Sequence, residues 1–101
     1  AGVPDAQIDA LAIAGMENFP VFRKTILEGA APVMDTDAVG AETGAAAAAM
    51  PEGQPLDALL LECTDLSVFA RTVQEAVSVP VYDINSLIAY AAFCVRRNQW
   101  V

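Results

Sequence analysis

One cysteine in this 101-residue sequence stands where a thiol could take part in chemistry. Cys63 follows the apolar run at residues 59–61, and Thr64, Asp65 and apolar residues at helical spacing come after it. This order predicts that Cys63 lies where a strand passes into a helix N-terminus, whose free N–H groups favour an anion. We therefore expect a thiol that ionises more readily than a free cysteine and can serve as an acid–base group. A buried, inert cysteine at a strand end is the alternative.

The elements that must position Cys63 alternate between strands and helices. Short apolar runs bounded by glycine, proline or polar residues predict strands at residues 8–15, 56–62 and 79–82. Capping residues and apolar spacing predict helices at residues 19–28, 35–49, 66–77 and 86–97. The proline-rich and glycine-containing residues 51–55 predict a loop. This alternation predicts an α/β fold, a parallel β-sheet flanked by helices, in a single domain spanning residues 1–101.

Three loops are predicted to meet at the carboxyl edge of that sheet. They are residues 15–18, 63–65 and 83–86. In open α/β sheets this edge is where ligands bind. Gly15 and Glu17 in the first loop and Asp65 in the second are therefore candidate binding residues beside Cys63.

Composition excludes several other functions. The net charge of -8 repels phosphate backbones, and the basic residues are too few and too scattered for a nucleic-acid interface. No apolar run is long enough to cross a membrane, and no secretory signal begins the chain. We expect a cytoplasmic protein with both cysteines reduced, and Cys94 in the core on an apolar helix face.

The residue inventory also limits the chemistry. The sequence has no histidine, which excludes a Cys-His dyad within the chain, and no cysteine or carboxylate spacing suggests a metal. No glycine-rich phosphate loop appears. We therefore predict neither a metal site nor a cofactor.

The stretch around Cys63 resembles the C-terminal half of the aspartate/glutamate racemase superfamily. The resemblance covers nearly the whole chain from residue 8, and the segments that carry it are Leu-Leu-Leu-Glu-Cys-Thr-Asp-Leu at 59–66 and Val-Pro-Val-Tyr-Asp-Ile at 79–84. Ala-Gly-Met-Glu at residues 14–17 is similar to a weaker motif of the same half. The resemblance implies one lobe of a pseudo-symmetric, two-lobe enzyme that needs no cofactor and acts at the carbon alpha to a carboxylate.

The resemblance also assigns roles to residues. Cys63 matches the catalytic cysteine of the second lobe, and Thr64 matches a residue that holds the substrate carboxylate. Glu62 and Asp65 stand where racemases of aspartate or glutamate more often have Gly and Glu. Racemisation, isomerisation and decarboxylation, and the identity of the small carboxylate substrate, all stay open.

The other lobe, with its own cysteine, is not in this sequence. We therefore expect the chain to pair with that missing N-terminal lobe or to self-associate, and to be inactive alone. The alternative is a non-catalytic α/β ligand-binding or interaction module, in which Glu17, Asp65 and Asp83 form acidic loops that contact a partner. Glu17 and Asp83 could equally be solvated capping residues.

Overall fold

The computed structural model describes residues 2–50 and 55–97. Its helices are α1 (Asp5–Asp9), α2 (Pro20–Phe22), α3 (Thr36–Ala49), α4 (Ala70–Val77) and α5 (Ile84–Val95). A π-helical turn, Arg23–Leu27, extends α2, and a 3-10 segment, Thr64–Phe69, leads into α4. The strands are β1 (Leu59–Leu60) and β2 (Val81–Tyr82). The predicted loop at 51–55 lies almost wholly outside the described residues.

The two strands form a small parallel sheet. Leu59 pairs with Val81 and Leu60 with Tyr82. The N–H of Leu59 donates to the Pro80 carbonyl, and the N–H of Leu61 donates to the Tyr82 carbonyl, both at 2.9 Å. The described chain is therefore helix-rich and loosely α/β, with strands much shorter than the apolar runs predicted.

The strand predicted at residues 8–15 is wrong. The chain there begins as α1, which ends at Asp9, and residues 11–16 have no regular secondary structure. Leu11 and Ile13 lie across a cavity from Leu59 instead of bonding to β1. An apolar run becomes a strand only where a neighbouring strand satisfies its backbone, and periodicity alone cannot identify that neighbour.

Helix α3 holds α2 in place through one carboxylate. The N–H groups of Val21 and Phe22, in the first turn of α2, donate to Oε1 and Oε2 of Glu42 at 3.0 and 2.7 Å. These N–H groups have no partner inside their own helix, so Glu42 completes the helix start from another element.

Gly29 ends the π-helical turn in the left-handed region, at a φ of 59°, as the sequence predicts.

The core forms where α3 packs against α4 and the sheet. Asp35 caps α3, as predicted, by accepting from the N–H of Ala38 at 3.0 Å. A side chain at Gly40 would come within 3.1 Å of the Phe69 ring, so glycine permits the close packing there. The buried apolar residues are Phe22, Val39, Ala47, Leu59, Leu61, Leu66, Phe69 and Val73.

The last two helices begin differently from the sequence expectation. The predicted helix at 66–77 starts as the 3-10 segment and becomes α-helical only at Ala70. Helix α5 starts at Ile84 because Asp83 and Ser86 form a reciprocal capping box. The Ser86 N–H donates to Oδ1 of Asp83 at 2.6 Å, and the Asp83 N–H donates to Oγ of Ser86 at 3.0 Å.

Helix α5 contributes no buried residue, so the core position predicted for Cys94 is wrong. Cys94 is exposed, together with Leu87 and Ala91 of the same predicted face. The described residues therefore do not form the lobe that the resemblance implies, with helices on both faces of a parallel sheet. The longest helix among them, α3, has 14 residues, and none there is long and apolar enough to cross a membrane.

We predict that Glu42→Ala lowers the free energy of unfolding by about 1–2 kcal/mol, because two N–H groups of α2 lose their acceptor. Glu42→Gln keeps one acceptor oxygen and should cost less. Denaturant unfolding monitored by circular dichroism measures both. The control is Glu75→Ala, which removes an exposed ion pair with Arg71 and should leave stability nearly unchanged. Equal losses of unfolding free energy in Glu42→Ala and Glu75→Ala would contradict the role of Glu42 as the acceptor for the N–H groups of α2.

Candidate functional site

Two strand–helix junctions lie side by side at the carboxyl edge of the sheet. Cys63 follows β1 and is the N-cap residue of the 3-10 segment, with an extended backbone. Asp83 follows β2 and caps α5. Because the strands are parallel and in register, their pairing brings both junctions to one edge, as the sequence predicts.

The Cys63 thiol is free and partly buried, and the residue packs against the core. The first helical hydrogen bond after it runs from the Leu66 N–H to the Cys63 carbonyl, at 3.1 Å. The N–H groups of Thr64 and Asp65 precede that bond, as expected at the start of a helical segment. The 3-10 segment has six residues, about two turns, and stands where the sequence predicts the N-terminus of an α-helix.

Cys63 opens onto a cavity of ≈ 520 Å³, here named the thiol cavity. Gly15, Glu17 and Glu62 line it with Cys63. The Glu17 carboxylate lies against the backbone of Gly15, where any side chain at position 15 would collide with it. The structure thus brings together three of the predicted site residues, Gly15, Glu17 and Cys63.

The other two predicted binding residues lie apart from the thiol. Thr64 lines a second concavity of ≈ 610 Å³, here named the aromatic groove, between the sheet edge and α5. Asp65 is exposed and lines neither concavity. Asp83 also lines the groove, but its carboxylate is engaged in capping α5. Glu17, Asp65 and Asp83 were expected to share one edge of the sheet. They lie instead in the thiol cavity, on the exposed surface and in the aromatic groove, respectively.

The walls of the thiol cavity are mostly apolar, and its ionisable groups apart from the thiol are carboxylates. Thr43 also lines it, but its hydroxyl donates to the Val39 carbonyl at 2.7 Å. No lysine or arginine in the described ranges lines the cavity. Arg23 lies behind the Glu17 loop, where it donates to the Glu17 carbonyl and pairs with Glu28, each at 3.1 Å.

Arg71 is likewise engaged far from the thiol. It pairs with Glu75 at 2.9 Å on the surface of α4. The hydrogen bond that Arg71 donates to Glu75 and the charge of that carboxylate raise the pKa of Arg71 above its ordinary value. Arg23 and Arg71 are therefore each paired with a neighbouring carboxylate.

Sequence reasoning missed the aromatic groove. Leu60 and Tyr82 pair in register on the sheet face opposite the buried Leu59, and both stay exposed. Tyr90 of α5 completes the groove. Alternation along the short strands could have identified Leu60 and Tyr82, because successive side chains of a strand point to opposite faces. Nothing local in the sequence indicates that this face stays uncovered.

Comparison of the chain with protein-family models, curated proteins and solved structures found no match. In the part of the chain that the structure describes, no three histidine, cysteine or acidic side chains gather as metal ligands would.

Proposed function

We propose that this chain supplies one half of the site of a cofactor-independent racemase, isomerase or decarboxylase that acts at the carbon alpha to a carboxylate. Cys63 is its acid–base group. The observation that carries the proposal is the position of Cys63, which opens onto a cavity at the carboxyl edge of parallel strands.

The chemistry requires one proton transfer at each face of a carbon. The Cys63 thiolate removes the α-proton, so that an S–H bond forms, the C–H bond breaks and the electron pair moves into the carboxylate. Racemisation then needs an acid on the opposite face, which is the role of the missing lobe.

Decarboxylation uses the same half-site differently. There a carbon–carbon bond breaks, carbon dioxide leaves, and the carbanion takes a proton from the Cys63 thiol. A single cysteine suffices for that sequence of steps. Both reactions would benefit if a partner covered the exposed apolar wall, because exclusion of water strengthens electrostatic interactions at the reacting atoms.

The uncovered face of the molecule supports a partner that completes the site. The accessible surface is 7655 Å², whereas a compact protein of this mass exposes about 5,500 Å². Helix α5 carries no charged residue between Ile84 and Val95. Leu87 and Tyr90, which line the aromatic groove, are 60% and 70% exposed. A partner that covered α5 and the groove would remove only part of this excess, because Leu11, Ile13 and Val33 elsewhere are also exposed.

A non-catalytic ligand-binding or interaction module is the second candidate. The observation that favours it is the same charge-free helix, since an interaction domain also presents an apolar surface depleted of charge. The two candidates differ at Cys63. The module needs its thiol only for packing, whereas the enzyme needs it for turnover.

We expect the isolated chain to self-associate through the face formed by α5 and the aromatic groove. Light scattering should give a mass above the 10.6 kDa of one chain. Leu87→Lys should reduce that mass without lowering the thermal midpoint, because the side chain is already exposed. Val33→Lys, which changes an exposed valine elsewhere, is the matched control and should not affect association. A wild-type chain that is monomeric at high concentration would contradict the expectation that this face forms an interface.

Cys63→Ser should reduce turnover of the complete gene product by roughly 10²–10⁴-fold, since a hydroxyl is a far weaker base than a thiolate. The thermal midpoint should change little. Cys94→Ser is the matched control: because Cys94 is exposed, both turnover and midpoint should stay close to wild type. If Cys63→Ser lowers the midpoint and leaves turnover per folded molecule intact, Cys63 is a packing residue and the module is the better account.

A further inference from the structure

The thiol cavity runs along the free edge of β1. Residues 59–63 line one side of it without a break, and residues 11–17 line the other side, also without a break. No residue of β2 lines it, and β2 pairs with the opposite edge of β1. Side chains of a strand alternate between its faces, so a concavity that touches every successive residue lies beside the edge of that strand. The cavity is therefore a gap between two stretches of backbone.

Unpaired backbone groups face this gap from β1. The N–H groups of Leu59 and Leu61 donate to carbonyls of the β2 side. The N–H and carbonyl of Leu60 consequently point to the other edge, because successive residues of a strand direct these groups to opposite sides. Neither group has a partner among the described residues. Such an edge is a template on which another strand can pair.

The opposite side of the gap also has unpaired backbone groups. Residues 11–14, here named the strap, have no regular secondary structure, and residues 12–14 make no hydrogen bond to any described residue. Leu11 and Ile13 alternate with alanines and stay 64% and 87% exposed, although both line the cavity. Side chains at every second position of an extended chain lie on one face. The strap therefore has one apolar face and no partner for its backbone.

The core side of the gap can receive that apolar face. Phe22, Ala47 and Leu59 belong to one core cluster, and all three line the cavity. If Leu11 and Ile13 turn toward this cluster, the alternation of faces places Ala12 opposite Leu60. In a parallel ladder the Leu60 N–H then donates to the Leu11 carbonyl, and the Ile13 N–H donates to the Leu60 carbonyl. Burial of two apolar side chains and two new backbone bonds favour this arrangement.

We propose that the strap closes the gap by adding to β1 as a third, parallel strand, and that closure shields the Cys63 thiol from solvent. The structure shows the open arrangement. Parallel neighbours need a long crossover connection, which residues 15–58 provide with α2 and α3. A sheet of three strands is also more stable than the two-stranded sheet of the open arrangement. The proposal concerns a backbone movement and is independent of the chemistry assigned to Cys63.

Amide hydrogen exchange, resolved by NMR, tests closure on this chain. Closure uses the N–H of Ile13, whereas the N–H of Ala12 points away from β1. Ile13→Pro therefore removes a donor that closure needs, and Ala12→Pro is the matched control. We expect the Leu60 amide to exchange roughly tenfold faster, or more, in Ile13→Pro than in the wild type and in Ala12→Pro. The amide of the fully buried Val73 reports global unfolding and should not change. Equal exchange of Leu60 in all three proteins would overturn the proposal.

Thermal unfolding tests closure without a proline. In the open arrangement the side chain of Ile13 is almost wholly in water, so Ile13→Ser would not alter the midpoint. Closure buries that side chain, and we therefore expect Ile13→Ser to lower the thermal midpoint by several degrees. Val33→Ser changes a valine that is 79% exposed outside the gap and should leave the midpoint unchanged. The same midpoint for both variants would contradict closure.

Alkylation tests whether the strap shields the thiol. Iodoacetamide modifies both cysteines, and peptide mass analysis compares Cys63 with the exposed Cys94 in one sample. Ile13→Pro should accelerate modification of Cys63 severalfold relative to Cys94, and Ala12→Pro should resemble the wild type. Faster exchange at Leu60 without faster modification of Cys63 would retain the third strand and overturn the shielding. Turnover of Cys63→Ser, measured separately, decides the acid–base role whichever way the strap behaves.

Discussion

The parallel pairing of β1 with β2 is the interaction on which the rest of the structure depends. The backbone bonds at Leu59 and Leu61 fix the strand ends side by side, and the chain leaves each strand directly into a helical segment. The backbone pairing of the strands therefore places Cys63 and Asp83 at one edge of the sheet, whatever their side chains. The core residues of α3 and α4 pack on one face of the strand pair and so fix the position of the two junctions.

The other face of the strand pair stays uncovered. Strands of a parallel sheet are normally buried on both faces, yet Leu60 and Tyr82 remain exposed here. Helix α5 extends this apolar surface without burying any residue of its own. The sheet is thus covered on one face only, and the proposed chemistry assigns the second proton transfer to a partner that would cover the other.

The parts of the fold that could be predicted from sequence are those set by local hydrogen bonding. Asp35 caps α3 and Gly29 ends the turn after α2 because the necessary groups lie within a few residues. The strand at 8–15 and the burial of Cys94 were wrong because each needs a distant neighbour that the sequence window does not contain. The cap that Glu42 supplies to α2 escaped notice for the same reason, since its partners lie about 20 residues away.

The candidate site, too, could be predicted from the sequence only in part. Gly15 and Glu17 line one cavity with Cys63, but not for the predicted reason, because the strand at 8–15 that was to bring their loop to the sheet edge does not form. The separation of Thr64 and Asp65 from that cavity could not be foreseen, because it depends on how the 3-10 segment turns the chain after Cys63. Neighbouring residues in the sequence consequently face different concavities.

The central claim is that the Cys63 thiol exchanges a proton with the α-carbon of a substrate. The most direct measurement is the entry of solvent deuterium at that carbon, followed by proton NMR in heavy water with the complete gene product. We predict that the α-proton signal of at least one α-amino acid in a panel decays with the wild-type protein and decays no faster than background with Cys63→Ser. Equal exchange by both proteins, or none with the wild type on any amino acid, would contradict the account.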